Sequence, residues 1–144
     1  MVNTFSPHIR FREARERLGL SPDEVAKQSG VSSAEIWDIE AYENELTFCH
    51  SPRAVQLFCR ILRIQPVDLF GGVASGPAIS PAELVELIRE ECRVRQVTLV
   101  QFEDVLGWRL TESMEPAERL LEDLTVDGLQ WLCRALRVDW LRVI

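Results

Sequence analysis

Lysine is almost missing from this chain. Lys27 is the only one among sixteen basic residues, which face 23 acidic ones, and the formal net charge is −7. A chain so poor in positive charge has no general attraction for a phosphate backbone, so contact with nucleic acid needs a local patch of arginine. Histidine is nearly as scarce, with His8 and His50 alone. The four cysteines, Cys49, Cys59, Cys92 and Cys133, make no CxxC pair. Cys59 and Cys133 lie among apolar neighbours at helical spacing, so they read as reduced buried thiols. Cys49 and His50 could be half of a metal site, but no second pair stands near them in the sequence, and neither a metal nor a cofactor is expected. No stretch approaches the roughly 18 apolar residues of a membrane span, and residues 1–20 hold no apolar core of a secretory signal. The expectation is a cytoplasmic protein with no membrane partner. A glycine-rich phosphate loop, an HExxH motif and a supported Ser/His/Asp order are all missing, so no enzyme is expected. The acidic doublets Glu90-Glu91, Glu103-Asp104 and Glu122-Asp123 read as solvated helix faces.

Alternation with period two is also lacking. Apolar residues recur instead at helical spacing, and with 47% hydrophobic residues an all-α globular fold is expected. The one clear break is residues 71–77, which hold three glycines, a proline and a serine without periodicity. The expected organisation is a first domain over residues 1–70, a linker over 71–79 and a second helical domain over 80–144. The charge divides unevenly: residues 1–72 hold 8 basic and 10 acidic residues, residues 73–144 hold 8 and 13. The second half is the poorer candidate for touching DNA.

Within the first half a helix is expected over residues 9–18. Ser21, Pro22 and Glu24 then form a strong helix start, with Ser at the N-cap, Pro in the first turn and Glu completing a capping box. That helix is expected to reach about Gln28. Gly30 suits a tight turn with positive φ. Ser32 or Ser33 caps a third helix, with Glu35 reciprocating, to about Glu43. Residues 44–50 read as a loop. Ser51-Pro52 opens a fourth helix and Gln65-Pro66 a short fifth one.

Two windows of the second half echo the first. Residues 57–64 match 131–138 at an offset of 74, with Cys, Arg, Leu and Arg identical, and residues 21–31 match 98–108 at an offset of 77. This points to a tandem duplication, with two unrelated helical halves of similar composition as the alternative. The echo fails opposite the third helix, where Pro116 would cut a recognition helix short.

A short helix, a glycine corner and a second helix with a free outer face make a helix-turn-helix. Residues 20–40 resemble that motif as the Cro/XRE repressor family has it, in spacing and in residue type: Val25-Ala26 at the apolar-Ala step, Gly30-Val31 at the corner, Ile36 buried and Glu40 closing the helix. The resemblance extends over residues 9–70, through Phe11, Ala14 and Arg15 upstream and residues 58–70 downstream. It implies a lambda-repressor-like five-helix domain, followed here by a degenerate copy. It also implies a structural salt bridge between Arg15 and Glu40, base reading by Ser33, Ala34 and Asp38 with support from the Pro22 position, and a phosphate contact from Arg53. The family's mode of action implies an XRE-type transcriptional regulator that meets DNA as a homodimer over a pseudo-palindromic site.

The residues themselves point two ways. Direct readout favours Arg or Lys for guanine and Asn or Gln for adenine, whereas this chain offers Ser33, Ala34, Asp38 and Pro22. Glu35 and Asp38 bring acids toward a phosphate wall without a basic neighbour on the same helix. Trp37 lies on or near that outward face, or tucks under residues 44–50. Arg10 and Arg17 share a face of the first helix; with Arg53 they are DNA contacts or a solvated surface. The alternative to a DNA reader is a protein-binding module of antitoxin, immunity or anti-repressor type, derived from the same fold and docking a basic partner through Trp37 and acidic surface. In the DNA-reading case the second half supplies dimerisation through Trp108, Trp131 and Trp140.

Overall fold

The computed structural model describes residues 6–144, and five residues of the expected first domain, 1–5, lie outside it. Every regular element among the described residues is helical. The first half holds α1 (Pro7–Arg17), α2 (Pro22–Ser29), α3 (Ser33–Ala41), α4 (Glu45–Cys49), α5 (Pro52–Leu62) and α6 (Pro66–Phe70). The second holds α7 (Pro81–Arg95), α8 (Leu99–Leu106), 3-10 turns Thr111–Ser113 and Ala117–Arg119, α9 (Leu120–Asp123), α10 (Val126–Ala135) and a last 3-10 turn Trp140–Arg142.

Side-chain caps set these boundaries. Ser21 accepts from the Glu24 amide while Glu24 accepts from the Ser21 amide, and Ser32 and Glu35 do the same at α3. Each box satisfies two donors that a helix start leaves open. Gly30 ends α2 at φ 80° in the left-handed region, where a side chain would be strained. Three details differ from expectation, the first being α1, which begins at Pro7 rather than at residue 9. Helix α3 stops at Ala41, because Tyr42 turns extended. Residues 44–50 are not a loop but carry α4: Leu46 is pulled fully into the core, and the Thr47 hydroxyl donates to the Asn44 carbonyl, which closes the turn.

The second half follows the same order of caps and corners. Thr98 and Gln101 form a capping box at α8, and Gly107 ends it at φ 83°. Helix α10 is capped by Thr125 as α5 is by Ser51. Arg63 and Arg137 both turn left-handed, at φ 56° and 59°. The amide after each donates back into the helix, from Ile64 to Cys59 at 3.0 Å and from Val138 to Cys133 at 2.9 Å. The difference lies between α8 and α9. No helix equivalent to α3 forms there; the stretch turns twice in 3-10 conformation around Pro116.

Two cores result. One gathers Phe11, Val25, Ile36, Ile39, Leu46 and Phe58 among others, the second Leu84, Ile88, Phe102, Leu110 and Leu132 among others. Val126 of α10 is buried in the first core rather than the second. Trp140 meets both cores and packs edge-on against Phe70, with ring centroids 4.8 Å apart. The stretch after α6 is stitched to the end of the chain: the Ser75 amide donates to the Asp139 carboxylate at 2.9 Å, the Ile79 amide to the Arg142 carbonyl at 2.7 Å, and Arg142 Nε to the Pro77 carbonyl at 2.9 Å.

Candidate nucleic-acid interface

Helix α3 has one wet and one dry face. Ile36, Ile39 and Glu40 are buried, whereas Ala34, Glu35, Trp37 and Asp38 are exposed and Ser33 is half-buried. The helix packs on α1, α2 and α4, so its outer face is left to solvent. That orientation is fixed by a buried ion pair. Arg15 Nε and Nη2 each donate to the Glu40 carboxylate at 2.7 Å, and Arg15 Nη1 donates to the Leu20 carbonyl at 2.8 Å. A guanidinium fork can hold a carboxylate in only a narrow range of positions. One side chain therefore ties α1, the entry to α2 and the end of α3 together. The bond to Glu40 holds the Arg15 guanidinium above its ordinary pKa.

Trp37 stands clear of the helix behind it, 59% exposed, and does not tuck under residues 44–50. Tyr42 (62%) and Phe48 (56%) are exposed near it in the chain. Sequence reasoning passed over both, and the signal for Phe48 was hidden because residues 44–50 read as a loop. Glu35 is exposed yet tied inward by its capping bond to the Ser32 amide at 2.7 Å. Its charge is spent on the positive end of α3. Asp38 has no such tie and is the acid that stands outward on this face.

The arginines are less uniform. Arg17 is exposed at the end of α1, and Arg10 is half-buried on the same helix. Arg53, half-buried in the first turn of α5, donates to Gln56 at 3.1 Å and borders a cavity of about 270 Å³ lined also by Arg60, Pro66 and Ile144. In the second half, Trp108 and Trp140 are half-buried against the cores, and only Trp131 of the three expected dimer tryptophans is exposed. Arg134 covers the Trp131 ring at 4.8 Å.

His50 is buried beside Phe58, ring centroids 5.6 Å apart, and its Nε2 has no hydrogen-bond partner in the protein. Burial lowers its pKa below the ordinary value. Cys49 is exposed, and its thiol is shifted upward by desolvation and by Glu45. The two neighbours thus face different surroundings. Burial pushes the Cys59 and Cys133 thiols up to about 12, which keeps them protonated and unreactive.

A corner of this geometry with a free outer helix is what a helix-turn-helix requires, and residues 9–69 match the protein-family model described as a helix-turn-helix domain. The first half of this chain is a helix-turn-helix domain. No curated protein and no solved structure matches the chain. No helix among the described residues is long and apolar enough to cross a membrane.

Proposed function

We propose that the helix-turn-helix domain binds DNA as part of a cytoplasmic, XRE-type transcriptional regulator, with α3 as an atypical, acidic recognition helix. The observation that carries this reading is the uncovered outer face of α3, held at a fixed angle by the Arg15–Glu40 pair. In this reading Ser33, Ala34, Trp37 and Asp38 meet base edges, and Arg10, Arg17 and Arg53 meet phosphates. Capping reduces the expected repulsion. Glu24 and Glu35 are bonded to backbone amides at their own helix starts, so Asp38 is the principal unspent acid. An aspartate can accept from the cytosine amino group, and Trp37 can lie against a thymine methyl.

Titration of a labelled duplex of mixed sequence at low salt tests the proposal. Three arginine–phosphate contacts give a slope of about −3 in log affinity against log salt. Arg53→Glu weakens binding on every sequence alike, while Asp38→Ala changes which sequence is preferred. A second reading is favoured by one specific observation, the exposure of Trp37, Tyr42 and Phe48 beside acidic Glu35, Asp38 and Glu43. Exposed aromatics are typical of protein interfaces, and this surface fits a basic partner. No DNA binding at the lowest salt, together with capture of an arginine-rich peptide that Trp37→Ala abolishes, would replace the first reading by the second.

A further inference from the structure

The contacts between the halves follow a rule. Helix α4 packs on α10, and α5 packs on α9. At the offset of 74 that aligns the Cys59 and Cys133 helices, α5 corresponds to α10 and residues 45–49 to 119–123, which contain α9. Exchanging the two halves therefore turns one contact into the other. That is the signature of an isologous, two-fold interface, in which the same patch is used from both sides.

Finer contacts can be followed through the same exchange, some with a counterpart and one without. The Val126 amide donates to the His50 carbonyl at 2.9 Å. The exchanged pair is Pro52 and Leu124, and Pro52 has no N–H to give. The mate of this bond is therefore deleted by one residue, at the same N1 position of the corresponding helix. Phe70 against Trp140 exchanges into Ile144 against Pro66, and these two line a common cavity. Across that cavity Gln56 Nε2 donates to the Ile144 carbonyl at 3.3 Å. Pro52 and Val126, which correspond, are both buried, and Val126 lies in the core of the first half.

We infer that this chain is a dimer folded into one polypeptide: the second half is a copy of the first that sits in the partner's seat, and it has lost its reading helix. The α4–α5 face is then filled from within, and a second chain finds no place on it. The consequence for DNA rests on the reading proposed above. One α3 per chain reads one half-site, so the chain binds as a single molecule and its site is not a palindrome. This replaces the homodimer that the family resemblance implies.

Three measurements on the intact protein test it. Sedimentation from micromolar to submillimolar concentration should give a constant mass of 16.5 kDa; a rise toward twice that value overturns the inference. Hydrogen exchange by NMR reads the seam directly. An amide at the first position of a helix has no acceptor inside that helix, so without the His50 carbonyl Val126 exchanges like a free amide. The inference expects it to exchange at least about a thousandfold more slowly, since its bond opens only when the halves part; the free-amide rate overturns it. Duplexes of about 12 and 24 base pairs, roughly one and two turns, should each bind with a simple hyperbolic curve and one chain per short duplex. Binding that requires two chains and the longer duplex overturns it. Absence of binding to either duplex sinks the DNA reading instead, and leaves the internal pairing to be decided by mass and exchange.

Discussion

Between Ser21 and Gly30 the first half builds a capped helix ending in a left-handed glycine, and between Thr98 and Gly107 the second half builds the same. Beyond the glycines they part. The first half continues into α3, locked by Arg15 and Glu40. The second has a cysteine, Cys92, at the position corresponding to Arg15 by the offset of 77. Its buried acid is Glu91, which pairs with Arg95 at 2.7 Å and with Arg137 at 3.6 Å, both nearer the solvent. Arg95 also lies over the Phe102 ring and donates to the Ala135 carbonyl, so it joins α7, α8 and α10. The difference teaches that caps and glycine corners preserve a frame, while the ion pair that aims a reading helix is separable from it. A half with no helix to aim ties its frame together by other means.

The comparison can be broken most sharply at these acids. Glu40→Gln leaves a buried guanidinium without its counter-charge and should cost about 3 kcal/mol in a urea titration, the low end for a broken buried pair. Glu91→Gln should cost about 1 kcal/mol or less, because its partners reach water. Equal losses would show that the two acids do the same job. Gly30→Ala and Gly107→Ala come next; they meet open space and suffer only from positive φ. Each should lose about 1–2 kcal/mol, and closely matching values would sharpen the likeness of the two corners. Gly128 follows. A Cβ there would meet the Trp108 ring at 3.0–3.1 Å, and this overpacking works against the roughly 1 kcal/mol that alanine gains over glycine in a helix, so Gly128→Ala should destabilise by about 1 kcal/mol if the ring is held in place, although the corresponding residue of α5 is already alanine, Ala54.

The smallest effect concerns His50, whose position is taken by Leu124 in the second half. Burial lowers the His50 pKa in the folded chain below the ordinary 6.5, against a modest pull upward from Glu35 and Glu45. The unfolded chain then binds the proton more readily than the folded one. The stability contributed by the neutral ring is complete above pH 6.5 and is lost as the pH falls below that value toward the folded pKa. Between pH 7 and the onset of carboxylate titration, His50→Leu should flatten the decline measured in urea titrations. An unchanged slope would assign the decline to other groups.

Much of the first half was legible because its signals are local. Ser21, Pro22, Glu24, Gly30, Ser32 and Glu35 specify two helix starts and a corner within fifteen residues, and cap chemistry needs no distant partner. Helix α4 was not legible: five residues give too short a window for periodicity, and its turn is held by Leu46 reaching the core. The orientation of Trp37 stayed open in the sequence for a related reason, since its alternative depended on residues 44–50 being a loop. The acids on and beside α3 looked alike, yet Glu40 is buried in an ion pair, Glu35 caps a helix and Asp38 stands free. Spacing places a carboxylate on a helix but does not say which donor it finds. The seam between the halves was the least visible feature, because its signal is an exchange of contacts across some 74 residues rather than a motif.

The bonds that tie Ser75, Pro77 and Ile79 to Asp139 and Arg142 run alongside a chain reversal whose own residues, Val73 above all, are open to solvent. Those bonds lie wholly on the C-terminal side of Val73, so they would not bridge the two pieces left by a protease admitted there. Trp140 against Phe70, Gln56 against Ile144 and the His50–Val126 bond all lie away from the cut and would hold a nicked molecule as a stable two-fragment complex, visible as two bands after denaturation and one particle before it.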